Sequence, residues 1–109
     1  MEDKRKFPRV NISFPIRCEG IKSRRTFYTV FKDISKGGVK LISNKFLGLN
    51  KQLKFEINLI DKFIQGKGRI AWCNSQPYSE RYTAGIEFTE INNKSEKELS
   101  AFLAGIIPS

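Results

Sequence analysis

Two short groups of residues in the first third of the chain carry side chains that could bind an anion. Arg5 and Arg9 form an R-x-x-x-R segment, and guanidinium groups present planar forks of N–H donors that match phosphate oxygens. Asp33, Ser35 and Gly38 form a D-x-S-x-x-G segment. Each segment also has an ordinary explanation, because basic tails keep proteins soluble and Asp or Ser in a glycine turn bonds to the local backbone.

The positive charge of the chain is concentrated in the same region. The 109 residues include 20 Lys and Arg against 11 Asp and Glu, which gives a formal net charge of +9. Residues 1–40 hold 11 basic and 4 acidic side chains, whereas residues 41–109 hold 9 and 7. A charge placed this unevenly indicates an anionic partner without identifying it.

The residue types on which most enzymes depend are missing. The chain has no histidine, which excludes Ser-His and Cys-His pairs, an imidazole base and zinc sites that need histidine. Cys18 and Cys73 are too few for a Cys₄ site, and both lie in apolar patterns typical of small buried residues. We therefore expect a binding protein that is not an enzyme and has no catalytic residue, metal or cofactor.

Alternating apolar and polar residues predict six strands. The second run is rich in aromatic and β-branched residues, and Gly37 and Gly38 after it indicate a turn that needs positive φ or a close backbone approach. Pro15 cannot donate a ladder hydrogen bond, so the first strand is expected at a sheet edge or bulged there. The predicted strands cover residues 10–18, 26–34, 39–43, 52–59, 63–73 and 82–88.

The C-terminal part of the chain has a helical pattern. Ser95 and Glu98 form an S-x-x-E capping box, and the apolar residues after them recur at helical spacing. These features predict a helix over about 95–107. Consecutive strands with short connections favour an antiparallel meander, so the predicted fold is mainly β, a six-stranded antiparallel β-barrel with a C-terminal α-helix over one opening.

The length of the chain fits a single domain. We expect a flexible basic N-terminal tail over residues 1–9, which carries R-x-x-x-R, and a folded domain over residues 10–109. The sequence MEDKRKFPR is followed by no apolar signal region, and no apolar stretch approaches the roughly 18 residues that span a bilayer. We therefore expect a cytoplasmic protein without membrane contact.

The two segments, in this order and ahead of a predicted barrel, resemble the PilZ domain family, which binds the bacterial second messenger cyclic di-GMP through these motifs. Two later segments strengthen the resemblance. Gly68-Arg69-Ile70-Ala71-Trp72 is similar to the family's G-x-V-x-W-like strand, and Tyr82-Thr83-Ala84-Gly85-Ile86-Glu87-Phe88 is similar to its terminal G-I-x-F strand. The resemblance covers most of the chain and implies a cyclic di-GMP receptor.

The resemblance also implies a set of ligand-binding residues. Arg5 and Arg9 would contact phosphate and guanine, and Asp33, Ser35 and Gly38 would form the opposing wall. An ionised carboxylate only accepts hydrogen bonds, and it matches the N1–H and N2–H donors of guanine. A glycine permits close approach where a Cβ would clash.

Four more residues are candidates for secondary contacts. Lys4 occupies a position that in this family influences whether one ligand or a stacked pair binds, and a basic residue there is compatible with the pair. Lys36 and Arg69 would add to the positive field. Trp72 could stack on a guanine, although a tryptophan on a strand is more often a core residue.

The leading hypothesis is a single-domain receptor whose N-terminal tail becomes ordered when cyclic di-GMP binds. It would act through an unidentified downstream protein, as a monomer or a ligand-dependent dimer. One alternative is a small basic β-barrel that binds nucleic acid, which is disfavoured because no predicted strand shows an exposed aromatic row interleaved with basic residues. The other is a PilZ-like protein adaptor without a ligand, which is disfavoured because both motifs are complete.

Overall fold

The computed structural model describes residues 9–106, which form six strands followed by one helix. The strands pair antiparallel into a closed barrel in the order β1-β2-β3-β6-β5-β4, which confirms the predicted fold class. β5 and β6 each continue two or three residues further than predicted. The elements are β1 (Pro15–Gly20), β2 (Thr26–Ile34), β3 (Gly38–Ser43), β4 (Gln52–Asn58), β5 (Phe63–Ser75), β6 (Tyr82–Ile91) and α1 (Asn93–Ile106).

Apolar side chains from all six strands fill the barrel and form one core. Successive strand residues point to opposite faces of a sheet, so alternating residues line the interior. Leu99 and Leu103 of α1 join this core, and the Phe102 ring packs edge-on against Phe14 with centroids 5.9 Å apart. The fully buried strand side chains include Ile16, Cys18, Phe31, Val39, Leu41, Ile57, Ile64, Ile70 and Ile86.

The first predicted strand is wrong in its extent. The β1 ladder begins only at Pro15, and before it Val10 alone forms a bridge, with Ile34. Pro15 is the first residue of β1 and pairs with β2 alone, a position where the missing N–H is tolerated. The predicted edge position is wrong, because β1 has a neighbouring strand on each side. Ile12 and Phe14 still pack against the core. The alternation therefore predicted which side chains face inward, but not which residues form the ladder.

The N-terminus of the helix also differs from the prediction. The Asn92 side chain accepts a hydrogen bond from the Ser95 amide at 2.7 Å, and the Asn92 carbonyl accepts one from Glu96 at 2.9 Å. Asn92 is therefore the N-cap. The predicted capping box is wrong, because the buried Ser95 hydroxyl instead accepts a hydrogen bond from the Gln65 amide at 3.1 Å and ties α1 to β5.

The antiparallel ladders divide the connections between the two ends of the barrel. The turn end holds residues 35–37 and 59–62, together with the start of α1 after β6. The loop end holds residues 21–25, 44–51 and 76–81. Among residues 9–106, no helix combines the length and the apolarity that crossing a membrane requires.

The buried thiol of Cys18 predicts a loss of stability in alkali. Burial raises the pKa of Cys18 from about 9 to about 12, so the folded protein holds this proton more tightly than the unfolded chain does. The stabilisation is complete below about pH 9 and is lost as the pH rises from about 9 to about 12. Urea unfolding across this range should show the wild type losing more stability than Cys18→Ala.

Cys73 provides the matched control, because its side chain is only partly buried. The Cys73→Ala variant should lose stability in parallel with the wild type. Parallel curves for the wild type and Cys18→Ala would contradict the prediction.

Candidate functional site

The D-x-S-x-x-G segment forms the tight turn between β2 and β3. The Ser35 amide donates to the Gly38 carbonyl at 2.9 Å, and the Gly37 amide donates to the Ser35 hydroxyl at 3.1 Å. The Phe88 amide donates to the Gly37 carbonyl at 2.9 Å, which fastens the turn to β6. Ser35 is buried at 4% exposure, so its hydroxyl shapes the turn, as the ordinary explanation of this segment predicts.

Gly38 is required by a close backbone approach. The sequence left open whether the turn needs a glycine for positive φ or for a close backbone approach. No glycine among the described residues has positive φ, so the close approach is the explanation. A Cβ on Gly38 would overlap the carbonyl oxygen of Ile86 on β6. Any larger residue must therefore push β3 and β6 apart beside the turn.

Asp33 is nearly buried, and each of its carboxylate oxygens contacts a cation. Arg9 Nη1 lies 2.6 Å from Oδ1, and Lys40 Nζ lies 3.3 Å from Oδ2. The Asp33 side chain is 7% exposed, against 24% for Arg9 and 41% for Lys40. A carboxylate removed from water needs such partners. Two cations face one carboxylate, so the cluster keeps a net positive charge.

A β-bulge brings Asp33 to the outer wall of the barrel. The β2–β3 register shifts between Phe31 and Asp33, so that Phe31 stands opposite Leu41 and Asp33 stands opposite Lys40. Strict alternation from the buried Phe31 would turn the side chain at position 33 into the barrel. The bulge therefore makes the carboxylate available to Arg9 and Lys40.

The strand ladders align four residues in one row across the outer wall. Asp33 pairs with Lys40, Lys40 with Gly85, and Gly85 with Trp72. Neighbouring strands lie about 4.8 Å apart, so the Asp33 and Trp72 backbones are about 14 Å apart. We call these four residues the outer row. It has a cation-bound carboxylate at one end and an indole at the other, an arrangement that suits a flat anionic ligand with ring systems.

Trp72 lies on the surface at 38% exposure, so its interpretation as a core residue is wrong. The β5–β6 register shifts between Ile70 and Trp72, which reverses the inward and outward alternation after the buried Ile70. The indole lies over Gly85, where an added Cβ would overlap Trp72 Nε1. Gly85 therefore leaves room for the ring against the wall.

The fit between Trp72 and Gly85 can be checked by fluorescence, because the chain has a single tryptophan. Gly85→Ala should displace the indole from the wall and shift its emission to longer wavelength. Gly105→Ala is the control, since an added Cβ at Gly105 meets nothing within 4 Å. Identical emission spectra for the wild type and Gly85→Ala would show that the ring does not depend on this gap.

The remaining secondary candidates lie beside the outer row. Arg69 stands one row away, with Nε 2.7 Å from Glu87 and Nη1 2.6 Å from the Asn50 side chain. Lys36 is exposed in the turn. Lys4 and Arg5 lie outside the described residues, as does the rest of the predicted tail before Arg9.

Two residues of the outer row were not predicted from the sequence. Lys40 carries a usable signal, because it alternates with the buried Val39 and Leu41 and must point outward on β3. Gly85 carries a weaker sequence signal, because it is a glycine inside a strand that otherwise consists of larger residues. Among residues 9–106, no group of three His, Cys, Asp or Glu side chains could hold a metal ion.

Comparison with known proteins gives one family and several related structures. A model of the PilZ domain family matches residues 3–105, whereas no curated protein sequence matches the chain. The inhibitor of motility MotI/DgrA of Bacillus subtilis superposes with a TM-score of 0.82 at 16% identity, over 96% of this chain and 52% of that one. The MrkH–c-di-GMP complex of K. pneumonia gives 0.76 at 19% identity, over 96% and 52%.

A third structure, the PilZ domain of Escherichia coli YcgR with c-di-GMP, gives a TM-score of 0.70 at 12% identity, over 94% of this chain and 91% of that one. At these identities the structures show a shared fold. The chain spans about half the length of the MotI/DgrA and MrkH chains. Because the family model covers nearly the whole sequence, the chain belongs to the PilZ domain family.

Proposed function

We propose that this PilZ domain binds cyclic di-GMP on the outer wall around Asp33 and acts as a receptor. The observation that carries the proposal is the 2.6 Å contact between Arg9 and Asp33, which joins one residue of each motif across 24 positions of sequence. Family membership supports it. So do the K. pneumonia MrkH and E. coli YcgR structures, which combine this fold with c-di-GMP.

The groups around Asp33 match the chemistry of the ligand. Cyclic di-GMP has two phosphates and two guanines, and Arg5 and Arg9 can bind phosphate oxygens or the guanine O6/N7 edge bidentately. Asp33 accepts from guanine N1–H and N2–H, a donor pair that adenine does not present. Trp72 offers a ring face for stacking at the far end of the outer row.

Ser35 and Gly38 act mainly by holding the turn in place. The Ser35 hydroxyl accepts a hydrogen bond from Gly37, and the same group carries an O–H that can donate to a ligand oxygen. Gly38 keeps β3 close to β6, so that the Asp33 carboxylate sits on a rigid edge. A rigid carboxylate selects its donors more sharply than a mobile one.

Both oxygens of the Asp33 carboxylate already contact cations, so guanine donors either share its acceptor sites with these cations or displace one of them. The Lys40 contact is the longer one and comes from the more exposed side chain. In the proposed mechanism guanine replaces Lys40 at Oδ2, while Arg9 keeps its contact with Oδ1. The released Lys40 ammonium then lies within reach of a ligand phosphate.

The N-terminal residues complete the proposed site. Residues 1–8 would become ordered over the ligand, with Arg9 as the fixed point and Arg5 as the second guanidinium. Lys4 would be compatible with a stacked ligand pair, and Lys36 and Arg69 would contribute through their field. The ordered segment would present a changed surface to a downstream protein, with the domain acting as a monomer or a ligand-dependent dimer.

Isothermal titration calorimetry with cyclic di-GMP tests the proposal. Arg9→Ala should weaken binding about ten- to hundredfold, since a bidentate arginine contact contributes about 1–3 kcal/mol. Arg17→Ala is the matched control, because Arg17 pairs with Glu19 at 3.1 Å on β1, away from the outer row. It should bind like the wild type.

Two outcomes would overturn the proposal. One is the absence of heat with the wild type at tens of micromolar cyclic di-GMP, and the other is equal affinity for Arg9→Ala and Arg17→Ala. A single-stranded oligonucleotide that binds with a steep dependence on salt, in place of cyclic di-GMP, would favour the nucleic-acid alternative.

A further inference from the structure

A cavity of about 1170 Å³ lies at the loop end of the barrel. Residues of the β1–β2 turn and of the β3–β4 loop line it, and it extends along β2 as far as Lys32. Neither Arg9 nor any member of the outer row lines the cavity. It is therefore separate from Arg9 and the outer row, and we call it the basic cleft.

The lining of the basic cleft carries charge of one sign. None of its lining residues within the described part of the chain is Asp or Glu, although the whole chain has 11 acidic residues against 20 basic ones. Within residues 9–106, no carboxylate pairs with any of its cations. A concave surface with unneutralised charge of one sign attracts the opposite charge. The cations are Lys22, Arg25, Lys32, Lys45, Lys51 and Arg81.

The same cleft exposes large apolar side chains. Tyr28 is 75% exposed, and Phe46 and Leu49 are each 62% exposed. The Phe46 ring is held edge-on against Tyr82 at 5.9 Å, so at least one of these side chains has a defined position. Apolar groups clustered beside cations mark an interaction surface for a partner that has both apolar and anionic groups.

The aliphatic side chains of the lining favour an acidic peptide over a single-stranded nucleic acid as the anionic partner. Single-stranded nucleic acid binds to rows of aromatic rings and arginines on which bases stack, whereas Leu49 and the half-exposed Val30 offer no ring face. Protein interfaces combine aromatic and aliphatic anchors with a charged rim. An acidic peptide with apolar anchors therefore fits the basic cleft better than a nucleic acid does.

We propose that the basic cleft binds an acidic segment of a partner protein. The apolar side chains of the segment pack on Tyr28, Phe46 and Leu49, and its carboxylates pair with the surrounding Lys and Arg side chains. The proposal does not depend on cyclic di-GMP binding, because the two surfaces share no residue within the described range 9–106.

Fluorescence anisotropy with a labelled synthetic peptide tests this inference on the full chain. In the probe, Asp or Glu alternates with Leu or Phe. One comparison peptide has Asn and Gln in place of the acids, and another has Ser in place of Leu and Phe. Only the acidic apolar peptide should bind, and its affinity should fall as the salt concentration rises.

Charge-reversal variants locate the contact. The double variant Lys45→Glu/Lys51→Glu should weaken peptide binding about tenfold or more, and both residues are exposed, so the fold should persist. The matched double variant Lys94→Glu/Lys97→Glu changes the same charge on exposed positions of α1 and should bind normally. Cyclic di-GMP titrations of both variants should match the wild type if that ligand binds elsewhere.

Several results would overturn the inference. One is the absence of binding by the acidic apolar peptide, and another is equal binding by the peptide with Asn and Gln in place of the acids. A third is an equal loss of peptide affinity in the two double variants, which would reflect net charge alone. Tighter binding of a labelled oligothymidylate that is lost in Lys45→Glu/Lys51→Glu would instead assign the cleft to nucleic acid.

Discussion

Gly38→Ala is expected to lower the free energy of unfolding by about 3 kcal/mol. The added Cβ would overlap the Ile86 carbonyl oxygen, which is backbone and cannot rotate away as a flexible side chain does. Relief of the overlap requires β3 to move from β6, where Gly38 pairs with Glu87 and the turn is fastened by the hydrogen bond from Phe88 to Gly37. Urea unfolding followed by circular dichroism measures the effect.

Gly105→Ala is the matched control for this substitution. A Cβ at Gly105 meets no atom within 4 Å, and the residue lies on α1, where alanine favours the helix by up to about 1 kcal/mol. The two Gly→Ala variants should therefore change stability in opposite directions. Equal changes in the two variants would mean that the contact with Ile86 does not constrain position 38.

Asp33→Ala is expected to weaken cyclic di-GMP binding about hundredfold, a prediction that rests on the proposed function. The substitution removes the acceptors for guanine N1–H and N2–H and also the group that holds Arg9 in place, so two sources of affinity are lost together. The selectivity of the wild type for cyclic di-GMP over cyclic di-AMP should disappear with the carboxylate. Calorimetry with both dinucleotides checks affinity and selectivity.

Asp61→Ala is the control for a lost carboxylate, because Asp61 is exposed in the β4–β5 connection. It should bind like the wild type. The folded state of Asp33→Ala should persist, since Arg9 and Lys40 are partly exposed and can be hydrated when their partner is gone. If Asp33→Ala were folded and bound like Asp61→Ala, the carboxylate would have no part in recognition.

The fold was largely predictable because the inward residues of a barrel alternate within each strand. The predicted bounds of β2 match the structure, and the alternation before Pro15 identified side chains that do pack on the core. The register shifts between Phe31 and Asp33 and between Ile70 and Trp72 were not predictable, since each depends on how a strand aligns with its neighbour. One turns Asp33 outward and the other turns Trp72 outward, so both ends of the outer row depend on them.

The first residue of the helix and the full set of outer-row residues could not be predicted from the sequence, because both depend on contacts between distant segments. Asn92 and Ser95 are both good N-cap residues, and the contact of the Ser95 hydroxyl with Gln65 decides between them. Both sequence motifs of the candidate site were evident from their residue types. Lys40 and Gly85 emerge as neighbours of those motifs only when the register across β2, β3, β6 and β5 is known.

The closed barrel limits how this domain can meet a partner. Within residues 9–106 every strand has a neighbour on both sides, but the ladders are not continuous, since residues 26–30 of β2 pair with β1 and not with β3. A partner strand could add to the barrel by β-augmentation only at such a short one-sided stretch, so recognition elsewhere depends on side chains of the wall and the loops. Such a surface can change its specificity through single substitutions while the hydrogen-bonded framework stays the same.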